Sequence, residues 1–341
     1  MRLPERIKAF VDLGNFLREP ASQPELQEVA QRAYSKNHWF TPENTLQALA
    51  AIADEFLTPQ KLEAWALKYN SEPKEAKKVG VVMAGNIPAV GFHDLLSVLI
   101  SGHTLMAKLS SQDFVLIQFF IQKITEIEPR FADYIQVAER LNQADAFIAT
   151  GSDNTARYFE YYFSKKPNII RKNRTSVGIL NGAETDEELV ALGNDLLDYF
   201  GLGCRNASTL FVPEYYNFTH LLDLLAPMGT TFANHHKYVN NYDYNKSIYL
   251  VNGVPHLDSG FLLLTENESL VSPISVVYFQ TYQTEADLTE KLSLYASKIQ
   301  AIAASKGWYP GSVPFGQTQR PTLTDYADGI DTMAFLKELG A

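Results

Sequence analysis

One cysteine, Cys204, is the strongest candidate for covalent chemistry in this chain of 341 residues. It lies in the segment Tyr199-Phe-Gly-Leu-Gly-Cys-Arg-Asn-Ala-Ser208, where two glycines precede it and Arg205 follows it. Glycines let a substrate carbonyl approach the backbone, and a neighbouring cation favours the thiolate, the nucleophilic form of cysteine. A buried structural cysteine is the alternative, because unpaired cysteines are usually buried. The glycine-flanked, polar setting favours the nucleophile.

A side-chain amide, that of Asn86, is the second candidate. The segment Val79–Ala84 is predicted to be a strand, and the Gly-Asn-Ile-Pro sequence that begins at Gly85 turns the chain before a helix. Open parallel sheets place ligand-contacting groups at the carboxyl ends of their strands. An amide at such a position can donate to a developing oxyanion. Taken alone, the same sequence could be a simple turn.

A third candidate is a phosphate contact in the segment Ala144–Thr155. A predicted strand runs into Gly151 and Ser152, and a helix begins near Asn154. The unpaired N–H groups and the dipole at such a helix start suit a phosphate. The segment contains neither GxGxxG nor a P-loop, so it indicates a phosphate site only weakly.

The elements that must position these residues alternate between strand and helix. Residues 4–70 are predicted to be helical, with apolar stripes such as Leu3, Ile7, Phe10, Val11 and Leu13. The predicted strands of the next block are Val79–Ala84, Thr104–Lys108, Tyr134–Ala138 and Ala146–Ala149, and its helices are His93–Ser101, Asp113–Ile127 and Asn154–Phe163. This alternation predicts a parallel sheet covered by helices on both faces.

A second α/β block follows. Its predicted strands are Ser176–Leu180, Ser208–Val212 and segments near 247–251, 260–265, 274–280 and 298–303, and its helices are 186–200, 217–226 and 285–294. We therefore predict an α/β protein of two domains. Residues 1–178 hold a helical N-terminal segment and a dinucleotide-binding domain, and residues 179–341 hold the cysteine domain. The C-terminal tail packs either with the second domain or back on the first.

Composition excludes several classes of protein. Apolar residues make up 46% of the chain and charged residues 20%, as in ordinary globular proteins. The chain has 29 basic and 39 acidic residues, so we expect neither nucleic acid nor an anionic membrane as a partner. A single cysteine excludes an intrachain disulfide. The N-terminus does not resemble a signal peptide, and the apolar stretch Leu95–Ile100 is too short to span a bilayer, so we expect a cytoplasmic protein.

In this order, the motifs resemble the aldehyde dehydrogenase superfamily. The resemblance makes Asn86 the oxyanion contact, Lys108 and Ser110 nucleotide contacts, and Cys204 the nucleophile. Gly151 and Ser152 correspond to the turn beneath the pyrophosphate, and Phe315 lies in a late Pro-Phe-Gly turn. Four segments look like the acyl-CoA reductase branch, the bioluminescence-type fatty acid reductases: Arg171–Arg174, Gly201–Asn206, Asn240–Tyr244 and Pro314–Pro321. The similarity covers about residues 75–340.

This resemblance implies reduction of a fatty acyl-CoA by NADPH. Cys204 would attack the thioester while Asn86 and the Cys204 backbone N–H hold the oxyanion, and hydride transfer to the acyl-cysteine would give a thiohemiacetal that releases the aldehyde. Two alternatives stay open: a CoA-acylating aldehyde dehydrogenase working oxidatively, and a non-reducing acyl carrier of a synthetase complex. The implied partners are acyl-CoA or an acyl-protein thioester, and a second copy of the chain or an acyl-protein synthetase. No metal is implied.

Two departures from the superfamily pattern refine this expectation. Hydrolytic members carry a glutamate base before the cysteine, whereas residues 171–176 here contain no acid. Without a base to activate water, the thioester should persist, which favours reduction over hydrolysis. The glutamate that would bind the ribose is replaced by Ser111, which leaves Lys108 to pair with a 2′-phosphate and favours NADPH over NADH. Gln112 or Asp113 contacting the ribose is the alternative.

Five basic residues lie within ten positions of this acidic chain: Lys165, Lys166, Arg171, Lys172 and Arg174. Lysines 165 and 166 are interpreted as solvated. One or two of Arg171, Lys172 and Arg174 are predicted to contact CoA phosphates or to lower the pKa of the thiol, and Arg171, Arg174 and Arg205 are the candidate CoA contacts. Adjacent histidines, His235 and His236, point apart and make a poor metal site.

Overall fold

Four helices begin the chain. The computed structural model describes residues 1–69 and 72–341. The four helices are α1 (Leu3–Arg18), α2 (Gln23–Lys36), α3 (Pro42–Phe56) and α4 (Pro59–Tyr69). Helix α3 begins as its sequence predicts, because the Thr41 side chain accepts a hydrogen bond from the Asn44 N–H and Pro42 occupies the first helical position. The predicted helical N-terminal segment is confirmed.

A five-stranded sheet follows in which all neighbouring strands are parallel, in the order β3-β2-β1-β4-β5. Its strands are β1 (Lys78–Val82), β2 (Thr104–Lys108), β3 (Ile135–Val137), β4 (Ala146–Thr150) and β5 (Asn168–Arg171). Its connecting helices are α5 (Phe92–Ile100), α6 (Phe114–Ile127) and α7 (Asp153–Phe163). Strand β5 is not among the predicted strands, because this four-residue edge strand has only two adjacent apolar residues and no alternation.

A seven-stranded sheet forms the second half, in the order β12-β11-β6-β7-β10-β9-β8. Its strands are β6 (Thr175–Ile179), β7 (Ala207–Pro213), β8 (Leu257–Asp258), β9 (Leu263–Glu266), β10 (Val276–Tyr282), β11 (Ile299–Ala304) and β12 (Val313–Pro314). Only the β8–β9 pair is antiparallel among the described pairs. The helices of this half are α8 (Asp186–Leu197), α9 (Thr219–Leu225), α10 (Gly229–Ala233), α11 (His236–Asn252) and α12 (Glu285–Tyr295), and helix α13 (Thr332–Leu339) lies in the C-terminal segment that follows. The predicted α/β class with a parallel sheet is confirmed.

The strand predicted near residues 247–251 is wrong, because this segment is the last part of helix α11. Its Ile, Leu and Val residues favour a strand by composition. However, Leu250 is 62% exposed and Val251 is 85% exposed, so this apolar run is not buried as a central strand would be. Gly253 ends the helix in the left-handed conformation with φ of 64°.

The chain forms two compact units, and the C-terminal segment belongs to the first. Unit 1 comprises Met1–Asn173 and Pro321–Ala341, and unit 2 comprises Arg174–Arg320. Inside unit 1, the Tyr326 hydroxyl accepts a hydrogen bond from the Trp65 indole N–H at 2.8 Å and pairs with the Tyr69 hydroxyl at 2.8 Å. The Tyr69 hydroxyl also donates to the Asp331 carboxylate at 2.7 Å. This network holds the C-terminal segment on helix α4.

Among the described residues, no helix is both long and apolar enough to cross a membrane. The same residues contain no group of three or more His, Cys, Asp or Glu side chains arranged to hold a metal ion.

We expect Tyr326→Phe to lower the free energy of unfolding by about 1–3 kcal/mol, because the variant leaves the buried Trp65 N–H without its acceptor. Chemical denaturation monitored by circular dichroism measures this change. Tyr244→Phe is the control, since Tyr244 is 66% exposed. Equal stability of the two variants would contradict the role given to the network.

Candidate functional site

Cys204 lies on a tight turn between helix α8 and strand β7, as the sequence predicts, and its side chain is half-buried. Helix α8 ends at Leu197, three residues earlier than predicted, because the backbone becomes left-handed. The φ angles are 52° at Tyr199, 59° at Phe200 and 74° at Gly201. Left-handed backbone is strained for bulky residues and persists only where the surrounding structure enforces it.

Aromatic packing enforces this left-handed segment. The Phe200 ring packs against the imidazole of His235 with 4.1 Å between ring centroids, and it meets Phe232 edge to face at 5.6 Å. The side chains of Tyr199 and Phe200 are 4% and 3% exposed. Burial also raises the pKa of the Tyr199 hydroxyl. The strain therefore lies in a well-packed part of unit 2.

The amide of Asn206 ties the Cys204 turn to the end of helix α8. Its Nδ2 donates to the carbonyl oxygens of Asp195 at 3.2 Å and Asp198 at 2.9 Å, and its Oδ1 accepts the Gly203 N–H at 2.8 Å. The last carbonyls of a helix have no partner within the helix, so this side chain satisfies two of them. Asn206 is 2% exposed. In the sequence, Asn206 stands out only as a neighbour of the cysteine.

Ser176 fixes the carbonyl of the cysteine itself. The Ser176 hydroxyl donates to the Cys204 carbonyl oxygen at 3.0 Å and accepts the Ala301 N–H at 3.1 Å. Ser176 lies on β6 and is fully buried. The backbone of Cys204 is thus held from the neighbouring strand as well as from the preceding helix.

Arg174 and Arg205 lie near the amino ends of strands in the second sheet. Arg205 is half-buried directly after Cys204, and Arg174 precedes β6 and donates to the Ile299 carbonyl at 3.2 Å. Strands β11, β6 and β7 are parallel neighbours, so the residues that precede them share one edge of the sheet. The structure places Arg174 on the edge that carries Cys204, and its role there stays a prediction.

A buried carboxylate connects helix α8 to the turn that carries Phe315. Asp195 accepts the Gly316 N–H at 2.7 Å, the Thr318 N–H at 3.1 Å and the Thr318 hydroxyl at 2.7 Å. Burial raises the pKa of Asp195, and these hydrogen bonds oppose the rise. The sequence offered one signal, since Asp195 interrupts the apolar stripe of Leu189, Leu192 and Leu196 on α8.

Unit 1 brings the predicted oxyanion contact, Asn86, and the predicted nucleotide contacts to one sheet edge. Asn86 follows strand β1, and Lys108 is the last residue of strand β2. These two strands are parallel neighbours, and both residues are exposed. A Cβ on Gly85 would collide with the side chain of Ser110, so glycine is required where the two loops meet.

The turn formed by Gly151 and Ser152 lies at the same edge, after β4, which is the other neighbour of β1. The Ser152 hydroxyl caps helix α7 by accepting the Thr155 N–H at 3.3 Å. A Cβ on Gly151 would lie 3.0 Å from the side chains of Phe159 and Thr155, which is a tight contact, so the close approach of turn and helix favours glycine. The phosphate assignment of this turn stays a prediction.

These residues fit a dinucleotide in their chemistry and placement. An exposed lysine, a capped helix start and two glycine-containing loops lie along β2, β1 and β4, where parallel sheets bind such ligands. Asp113 is not available to a ribose, because it is 2% exposed. Burial raises its pKa well above the usual range, and the Ala89 N–H lowers it only in part.

Arg171 is committed to a buried ion pair within unit 1. Its Nη1 contacts both carboxylate oxygens of Asp94, at 2.9 and 2.7 Å, and its Nη2 donates to the Thr332 hydroxyl at 2.7 Å. Arg171 is 3% exposed. A guanidinium held in this way does not favour the predicted CoA contact. Lys172, its neighbour, pairs at the surface with Glu160 at 2.9 Å.

The chain is similar in structure to aldehyde dehydrogenases. Aldehyde dehydrogenase 21 from Physcomitrella patens, in complex with the reaction product succinate, matches with TM-score 0.70 and 12% identity over 99% of this chain and 84% of that one. The NAD+ complex of an aldehyde dehydrogenase from Bacillus cereus gives 0.61 and 13%, over 89% and 72%. The His387Ala mutant of the Clostridium phytofermentans propionaldehyde dehydrogenase gives 0.59 and 9%, over 94% and 82%.

These similarities confirm the predicted aldehyde-dehydrogenase-like fold. No protein-family profile matches the chain, and no curated protein matches it.

We expect Arg171→Ala to lower the free energy of unfolding by about 3–5 kcal/mol, since it leaves Asp94 buried without its partner. Lys172→Ala should cost only about 0–1 kcal/mol, because its ion pair is exposed. Denaturant unfolding of both variants measures the difference. An Arg171→Ala protein of unchanged stability but weakened CoA binding would restore the CoA assignment.

Proposed function

We propose that this chain reduces an acyl-CoA to the aldehyde with NADPH, through an acyl-cysteine on Cys204. The observation that carries the proposal is the Cys204 turn, whose backbone is held by Asn206 and Ser176 around a half-buried cysteine, with the half-buried Arg205 as the next residue. A fixed, partly accessible thiol next to a guanidinium is suited to nucleophilic attack.

In the first step, Cys204 Sγ bonds to the thioester carbonyl carbon. The bond from that carbon to the CoA sulfur then breaks, and CoA leaves as a thiolate that takes up a proton. We assign the oxyanion contact to Asn86, as the resemblance implies. Arg174 and Arg205 supply positive charge for the departing CoA, whose phosphates and thiolate are anionic.

The acyl-cysteine should resist water. The connection from β5 to β6 reads Lys172-Asn173-Arg174 and offers no carboxylate to activate a water molecule. The intermediate therefore persists long enough to be reduced.

Unit 1 would hold the nicotinamide dinucleotide, which supplies the hydride when it is bound. Lys108 would contact the 2′-phosphate, Gly151 and Ser152 would face the pyrophosphate, and Ser110 would line the adjacent loop. The inward orientation of Asp113 supports NADPH, because it removes one of the two side chains that could have replaced the missing ribose carboxylate. In unit 2, Phe315 would contact the cofactor.

We expect a covalent acyl adduct on Cys204 when the protein is incubated with acyl-CoA, and NADPH should discharge it with release of aldehyde. Intact-mass spectrometry follows both events, and Cys204→Ala is the control that should form no adduct. An adduct that NADPH leaves unchanged would indicate an acyl carrier instead. No adduct with any chain length would overturn the proposal.

Ser111→Glu should raise the KM for NADPH at least tenfold relative to that for NADH, because a carboxylate near Lys108 repels the 2′-phosphate and can bind a ribose hydroxyl. Gln118→Glu adds the same charge at an exposed position of helix α6 and is the control. Steady-state kinetics with both cofactors test the prediction. An unchanged ratio of KM values in Ser111→Glu would contradict the 2′-phosphate contact.

A further inference from the structure

Two turns of unit 2 depend on a single residue of helix α8. The carboxylate of Asp195 accepts the Gly316 N–H, the Thr318 N–H and the Thr318 hydroxyl, and so holds the turn that carries Phe315. The carbonyl oxygen of Asp195 accepts the amide of Asn206, and so holds the Cys204 turn. Asp195 is 1% exposed.

The hydrogen bonds of Asp195 to Gly316, Thr318 and Asn206 form a junction between the two turns, and few other contacts could replace it. Asp195 lies in the last turn of α8, where carbonyl groups lack partners in the helix. The left-handed backbone at Tyr199, Phe200 and Gly201 takes the following N–H groups away from the helix axis. The Asn206 amide can therefore be oriented in only one way, because the opposite orientation would set its oxygen against two carbonyl oxygens.

We infer that Asp195 is a positioning residue for the proposed reaction, because it holds the Cys204 turn and the Phe315 turn in fixed positions relative to each other within unit 2. The inference rests on the proposed function for its meaning but not for its test. Through Asn206, Asp195 orders the backbone around the nucleophile. Through Gly316 and Thr318, it orders the turn that we assign to the cofactor.

The relative position of the two turns matters because acyl transfer and reduction take place at the same carbon. A thiolate gains reactivity from backbone dipoles and a guanidinium that are already in place before the substrate arrives. If the turn moves, these groups must be ordered at the moment of reaction, and the rate falls. Asp195 acts through other residues and touches neither thiol nor substrate.

The test uses Asp195→Asn, which keeps the side-chain volume but turns an NH2 group toward converging donors. Iodoacetamide reports directly on Cys204, because this is the only cysteine of the chain. We expect alkylation at pH 7, per folded molecule, to be at least fivefold slower than in the unaltered protein. The matched control is Asp325→Asn in unit 1, because Asp325 likewise accepts the N–H and the hydroxyl of one threonine, Thr322, at 2.7 and 2.8 Å.

Two further variants separate the two branches of the junction. Asn206→Ala cuts only the cysteine branch, so it should slow alkylation at least fivefold and leave the KM for NADPH within threefold. Asp195→Asn should also raise the KM for NADPH at least tenfold, a change that a lower folded fraction would not produce. If Asp195→Asn does not fold, Thr318→Val removes one hydrogen bond of the cofactor branch and should raise that KM three- to fivefold.

Folded Asp195→Asn and Asn206→Ala proteins that are alkylated within twofold of the unaltered rate, or faster, would overturn the inference. If the unaltered protein fails to reduce any acyl-CoA, the proposed function fails, while the alkylation rates still decide the role of Asp195.

Discussion

The amide of Asn206 is the interaction on which the cysteine turn depends. It closes the end of helix α8 by donating to two carbonyls, and it accepts the N–H of Gly203 within the turn. The left-handed run before it would be unfavourable for Tyr199 and Phe200 in an open loop. A buried hydrogen-bonding side chain on one side and aromatic packing on the other make that backbone the stable one. A strained turn that is fully supported is rigid, and rigidity is what a preorganised nucleophile requires.

The sheets explain why residues far apart in sequence are brought to common edges. In unit 1, Asn86, Lys108 and Gly151 follow or end three neighbouring parallel strands, so the chain needs no direct contact between them to align them. In unit 2, the amino ends of β11, β6 and β7 do the same for Arg174 and Cys204. Each unit therefore carries its candidate site residues at one edge of its sheet, and the pairing of the strands sets the spacing between these residues.

The regular elements of the fold could be predicted because their signals are local. The Thr41-Pro42 cap and the apolar run of β2 each specify their own element. The end of helix α11 could not be predicted, because the apolar residues at 248–251 have a strand-like composition and their exposure is decided by tertiary packing. Strand β5 was not predicted either, since a short edge strand is stabilised by pairing with β4 and not by an alternation of apolar and polar residues in its own sequence.

The candidate site divides in the same way. The position of Cys204 between helix and strand followed from its glycines and from the helical period before it. The supporting residues did not, because Asp195 and Asn206 act through backbone groups that carry no sequence signal of their own. Hydrogen bonds to backbone carbonyl and N–H groups depend on the backbone conformation at the end of helix α8, which only the structure shows.

The basic run from Lys165 to Arg174 shows how burial assigns different roles to similar residues. A cluster of charge in sequence suggests one shared partner, yet the two arginines belong to different units. Arg171 is paired with Asp94 in the interior, where removing either partner would leave an uncompensated charge. Arg174, three residues later, lies on the edge that carries the thiol. We therefore assign the positive charge of the proposed reaction to Arg174 and Arg205, whereas Arg171 stabilises unit 1 through its pair with Asp94.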